Sequence, residues 1–144
     1  MSTLKVGDKV QNFDKIISPD KLKDKKLILY FYPKDNTPGC TDEACNLRDN
    51  YEDLKKHGFE VIGVSPDNEK SHQKFIEKFT LPFQLISDSG KEILEQFEVW
   101  SEKKMYGKTY MGVIRKTFII NEEGIIEKII EKVDTKNHAS QIFK

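Results

Sequence analysis

LILYFYPKDNTPGCTDEACNL, residues 27–47, decides how the rest of the chain is read. Its first six residues, Leu27-Ile28-Leu29-Tyr30-Phe31-Tyr32, form a continuous apolar and aromatic run stopped by Pro33, the pattern of a strand buried on both faces. Thr37 is a good N-cap and Pro38 suits the first helical position, so a helix is expected to start there with Cys40 in its first turn. Ala44, Leu47, Tyr51 and Leu54 then recur at spacings of three or four, and Gly58 stands just past the end, as in an amphipathic helix. Val61-Ile62-Gly63-Val64, closed by Ser65-Pro66, reads as a second buried strand. Strand, helix, strand is a parallel crossover unit.

Working outward, residues 69–79 carry His72, Phe75, Ile76 and Phe79 at helical spacing, and Pro82 ends that helix before a short strand at 84–86. A third helix is expected over 91–97 and a long polar loop with Gly107 and Gly112 over 101–112. Residues 113–121 and 125–133 are β-rich and read as an antiparallel hairpin, with Gly124 supplying the positive φ of its turn. The order of elements, closed by a terminal helix, resembles the thioredoxin-like arrangement: an α/β fold with a central mixed β-sheet flanked by α-helices, in one domain over residues 1–144.

Lys plus Arg and Asp plus Glu each number 24 in 144 residues, a balance that argues against electrostatic capture of nucleic acid or an anionic membrane surface. The longest wholly apolar or aromatic run is six residues, far short of the roughly 20 that a membrane helix needs. The start, MSTLKVGDKV, lacks the apolar stretch and cleavage site of a secretory signal, so a cytoplasmic, reducing location is expected. The only cysteines are Cys40 and Cys45, and His57, His72 and His138 show none of the paired spacings that hold zinc. No metal, haem or flavin is called for.

A thiol in the first turn of a helix meets unpaired backbone N–H groups and the positive end of the dipole, which stabilise its anion. At pH 7 a thiol of pKa ~8.5 is ~3 % ionised, whereas one of pKa ~6 is ~90 % ionised. Cys40 is therefore expected to be the better nucleophile, and Cys45, deeper in the helix, to gain no such help. Residues five apart on an ideal helix lie ~8.7 Å apart, beyond the roughly 7 Å that a disulfide spans. If these two cysteines bond, the first turns of the helix must unwind.

YFYPKDNTPGCTDEAC, residues 30–45, resembles the active-site segment of the peroxiredoxins, PxxxTxxC, in the version with a second cysteine five residues on. That version is found in the bacterioferritin comigratory protein, or peroxiredoxin Q, branch. Further matches lie in register along the chain: Val6-Gly7-Asp8 and Phe13, GVSPD at 63–67, KFTLPFQLISD at 78–88, FEVWSEKKMYGKTYMG at 97–112 and RKTFIIN at 115–121. The resemblance implies a thiol peroxidase acting on hydrogen peroxide and organic hydroperoxides. It makes Cys40 the peroxidatic thiolate that becomes a sulfenic acid, Cys45 the thiol that resolves it as an intramolecular disulfide, and a thioredoxin-type dithiol the reductant. It further implies that Thr37 orients peroxide and thiolate, Arg115 stabilises the sulfur anion and the developing negative oxygen, Pro33 shields the pocket, and the Gly39 and Cys40 amides act as an oxyanion hole. A monomer is implied as well. Glu43 and Trp100 fall within these motifs without an assigned role.

Plainer readings stand beside these. Thr37 serves as an N-cap whether or not it meets peroxide, a solvent-facing charge is the lesser alternative for Arg115 on an alternating strand, and Lys116 is expected to be one. The histidines are assigned no chemistry, although His57 suits a helix C-terminus. A thioredoxin-like disulfide reductase would share the fold but normally carries CxxC, and a redox sensor would share every feature named here.

Overall fold

The computed structural model describes residues 4–143. The apolar run becomes strand β1 (Lys26–Phe31), followed by helices α2 (Pro38–Asp49) and α3 (Tyr51–Lys56) and strand β2 (Phe59–Ser65), with the short helix α1 (Pro19–Leu22) ahead of them. Then come α4 (Glu69–Phe79), β3 (Gln84–Ser87), α5 (Glu92–Gln96), β4 (Trp100–Met105), β5 (Lys108–Val113), β6 (Lys116–Ile120), β7 (Ile126–Ile130) and α6 (His138–Phe143). The main sheet runs β3-β2-β1-β6-β7. β1, β2 and β3 are parallel, whereas β6 is antiparallel to β1 and β7 to β6. This is the mixed, helix-flanked sheet that the element order implied.

β1 shows why its run had to be apolar throughout. Leu27, Leu29 and Phe31 point into one core layer with Ile62, Val64, Phe97 and Phe118, while Ile28 and Tyr30, and Tyr32 just past the strand end, point into the other with Cys40, Ala44, Leu47, Phe75 and Ile119. Successive side chains alternate faces in a strand, and here both faces are covered. In the first layer Phe31, Phe97 and Phe118 meet pairwise with ring centroids 5.0–5.8 Å apart. The second layer is roofed by α2, α3, α4 and α6, so the helix carrying both cysteines lies directly on the strand that precedes it.

The structure corrects four expectations. The long helix breaks at Asn50, whose Nδ2 donates to Asn46 O at 2.8 Å, a side chain competing for a helical carbonyl. Residues 101–112 are not a loop: β4 and β5 form a two-stranded ribbon turning at Tyr106-Gly107, both at positive φ as a type I′ turn requires. β5 is exposed along most of its length, so no apolar alternation announced it. The last hairpin begins only at Lys116, because Ile114 N–H is drawn back to Val99 O (2.7 Å), leaving Ile114 and Arg115 as a link between β5 and β6. Lys116 is only 8 % exposed. Its stem is covered beside Phe118, and its ammonium reaches out to Glu131 at 3.6 Å.

Candidate active site

β1 ends at the floor of the site, and the chain turns through Pro33 and loop 34–37 into α2. Thr37 is the N-cap, with extended backbone, and Pro38 opens the first turn, so Cys40 is the third helical residue. The capping position is as expected, but the hydroxyl is not: Thr37 Oγ1 donates to Lys34 O at 2.8 Å rather than accepting a first-turn N–H. The turn that carries Cys40 is thus not closed off by the threonine side chain. Cys40 is 1 % exposed and Cys45 is half-buried; both are free thiols.

Arg115 reaches the site from the β5–β6 link. Its Nη2 donates to Cys40 Sγ at 3.3 Å and its Nη1 to Glu43 Oε1 at 2.8 Å, one turn further along α2. Gly39 leaves room for this approach, because a Cβ there would stand 3.2 Å from Arg115 Nη2 and push the guanidinium back by a few tenths of an ångström. The glycine before the cysteine is a matter of space for the guanidinium. Arg115 is held more firmly protonated than usual: burial opposes its charge, but the Cys40 and Glu43 charges outweigh that cost. By contrast, burial pushes the Cys45 thiol up, with Asp49 and Asp42 adding to it and Arg48 opposing. The two cysteines therefore differ in kind, one beside a guanidinium at a helix start and one a neutral thiol farther along. On a continuous α2 they sit five residues apart, out of disulfide range by helical geometry.

Two polar clusters flank this centre, both joining residues distant in sequence. Glu43 is fully buried, its carboxyl pushed up to about 7 by burial against the opposing pull of Arg115. Its Oε2 has no hydrogen-bond partner, and the equally buried His138 stands beside it, with Nε2 3.5 Å away and bonded to Thr117 Oγ1 at 2.8 Å. On the other side, buried Asp35 accepts from Tyr32 OH (2.6 Å), Ser71 Oγ (2.8 Å) and His72 Nδ1 (2.7 Å), while His72 Nε2 donates to Ile86 O (3.0 Å). All three histidines have partners, since His57 Nδ1 also meets Asp53 O at 2.7 Å, at the helix C-terminus where the sequence placed it. Asp35, Asp67 and His72 gather three potential metal-ligand atoms within 4.8 Å. Protein donors already occupy them: His72 bonds Asp35 directly, and Asp67 Oδ2 accepts from Asp35 N–H (2.7 Å) and Ser65 Oγ (2.9 Å).

Of the residues singled out from sequence, Cys40, Gly39 and Arg115 are brought together; Thr37 stands at the N-cap of the same helix, Pro33 precedes it by four residues in the chain, and Cys45 lies farther along the helix. Glu43 and His138 were missed as site residues. The signal for Glu43 was its place one turn after Cys40, whereas His138 gave none.

Residues 4–129 match the AhpC/TSA family model. The putative peroxiredoxin bcp of Coxiella burnetii is 44 % identical over 97 % of this chain and 97 % of its own length. Peroxiredoxin Bcp of Bacillus subtilis is 42 % identical over 99 % and 94 %. Among solved structures, a Cys→Ser mutant of Xylella fastidiosa PrxQ aligns over 99 % of this chain and 94 % of its own with a TM-score of 0.88 at 30 % identity. The bacterioferritin comigratory protein of Xanthomonas campestris, described for its alkyl peroxide reduction activity, aligns over 83 % and 75 % with a TM-score of 0.78 at 38 % identity.

Proposed function

The chain belongs to the AhpC/TSA family, among its peroxiredoxin Bcp members, and from that premise we propose that its thiol peroxidase chemistry runs through Cys40 and Cys45. The observation that carries this reading is the Arg115 guanidinium 3.3 Å from the Cys40 sulfur at a helix start. The Cys40 thiolate attacks the terminal oxygen of hydrogen peroxide or an organic hydroperoxide. A new S–O bond forms as the O–O bond breaks, and the departing hydroxide or alkoxide takes up a proton to leave as water or alcohol. Arg115 and the first-turn amides of Gly39 and Cys40 stabilise the charge that moves onto oxygen. Thr37, at the N-cap of α2, orients the peroxide, and Pro33, in the turn after β1, shields it.

Cys40 is then a sulfenic acid. The Cys45 thiol condenses with it: an S–S bond forms and water is lost. A thioredoxin-type dithiol returns both sulfurs to thiols by exchange. Because α2 holds the two too far apart, each cycle unwinds its first turns and rewinds them. We take the enzyme as a monomer built on a single domain. Among the described residues no helix is long and apolar enough to cross a membrane.

Peroxide turnover by two variants tests the assignment. Cys40→Ser loses peroxide consumption, whereas Cys45→Ser completes one oxidation and stops with one added oxygen on Cys40, visible by mass spectrometry. Undiminished turnover by Cys40→Ser, or the first oxygen arriving on Cys45, would overturn it.

A further inference from the structure

The buried carboxylate oxygen of Glu43 that no donor satisfies lies 3.5 Å from the Nε2 of a fully buried histidine, and both stand directly behind the guanidinium that touches Cys40. Buried acceptors are almost always paired, so an orphan of this kind calls for a reason. His138 Nδ1 faces Gln141 Oε1 at 2.8 Å, an acceptor that keeps the ring proton on Nδ1. Nε2 is thereby left as the nitrogen that titrates, turned to Thr117 Oγ1 and to Glu43 Oε2.

We propose that Glu43 and His138 hold one titratable proton between them and that this proton sets how much of Arg115's charge is left for the Cys40 sulfur; the inference rests on the peroxidase reading of the site. With the pair empty, Arg115 is divided between two anions, Glu43 and the Cys40 thiolate. With the proton in place, on the carboxyl or on the imidazole, the negative charge behind Arg115 is cancelled and the guanidinium serves the sulfur alone. The coupling is reciprocal: a thiolate at Cys40 must in turn tighten the pair's hold on its proton.

The surroundings agree with a pair that exchanges a proton near neutrality. Burial raises Glu43 to about 7 and, acting on a base, lowers His138, so the two are driven towards each other. Besides Arg115 and Cys40, Glu43 faces Tyr30 on β1, a phenol kept neutral by its burial and by the Glu43 charge. His138 is further lowered by Arg115 and by Lys128 on β7, and is raised by Gln141 and by Asp134 ahead of α6. Helix α6 thereby does more than cover the core, since it carries the second half of the proton site.

The test is the titration of the His138 ring, followed by NMR in the reduced wild type and in Cys40→Ser, with the resonance identified by its loss in His138→Gln. Removing the thiolate should move the His138 transition to lower pH, an affinity for the proton at least about twofold weaker. Coincident curves overturn the proposal, and if the wild type still consumes peroxide they overturn this proposal alone. Two further variants supply opposite signs. Glu43→Gln, which mimics the protonated carboxyl, should bring the ultraviolet absorbance of the Cys40 thiolate to lower pH. His138→Gln, which leaves Glu43 as the carboxylate, should send it higher and slow the reaction with peroxide several-fold at pH 6–7. Movement of both in the same direction would mean loosened packing and would also overturn the proposal. Should Glu43→Gln not fold, the His138 titration still decides.

Discussion

Asp35 and Glu43 are buried carboxylates on the segment that carries Cys40, one five residues before it and one three after, and the fold treats them oppositely. Asp35 is saturated by Tyr32, Ser71 and His72, and its own N–H is taken by Asp67. Hydrogen bonds from His72, Tyr32 and Ser71 hold its carboxyl below the usual range although burial pushes it up. Glu43 has one oxygen on Arg115 and the other unsatisfied, and burial prevails there. The difference separates two roles. A charge with all its partners is a strut, here pinning the loop before α2 onto α4. A charge left short of partners is one whose protonation can change.

Breaking the strut is the severest way to test that contrast. His72→Phe leaves Asp35 buried without its counter-charge, and loss of one member of such a pair costs about 3–5 kcal/mol of folding stability by denaturant titration. The pH dependence follows from the same pair. His72 is raised by its hydrogen bond to Asp35, which overcomes burial, so its contribution is complete below about 6.5 and is lost as pH climbs through the folded value. Asp35 is lowered, so its contribution is present above about 3.9 and disappears as pH falls through its folded value. The pair's own contribution should therefore fall off on both sides of a plateau between those limits, and His72→Phe should remove that contribution's alkaline fall from the wild-type profile.

Next in size is Arg115→Met, which removes the donor to the sulfur and should slow peroxide reduction by about 10²–10³-fold, the usual loss for one such donor, with the fold retained. The conformational side of the contrast is read by deuterium exchange. Oxidation to the disulfide should speed exchange at residues 40–48 by about tenfold or more, whereas the Asp35 amide, clasped by Asp67, should change little. Exchange over 40–48 no faster in the oxidised protein would remove the unwinding step. The smallest effect expected is on stability in Thr37→Val, which loses the bond to Lys34 O at a cost of about 1 kcal/mol, because that hydroxyl ties the loop and does not cap the helix.

What the sequence revealed and what it hid divide along physical lines. β1 was legible because both its faces are covered, and the start of α2 because Thr37-Pro38 fixes a local backbone geometry that depends on nothing distant. The β4–β5 ribbon was hidden because it packs mainly on itself and needs no apolar face. Arg115 could be placed only through resemblance, since a residue in a two-residue link has no periodicity to read. His72 and His138 find partners 37 and 21 residues away, contacts that exist only once the sheet has formed. Lys116 misled for a related reason: its burial comes from the strand it joins, where it stands opposite Phe31.

The sulfur itself gives the most direct test of a Cys40 thiolate held by Arg115. The pH dependence of the thiolate absorbance in the reduced protein, with the Cys40→Ser signal subtracted, should be compared with the rate of reaction with hydrogen peroxide at each pH. A guanidinium-stabilised thiolate predicts that rate and absorbance rise together and that both move to higher pH in Arg115→Met. A rate that does not follow the absorbance, or an absorbance unmoved by Arg115→Met, would contradict it.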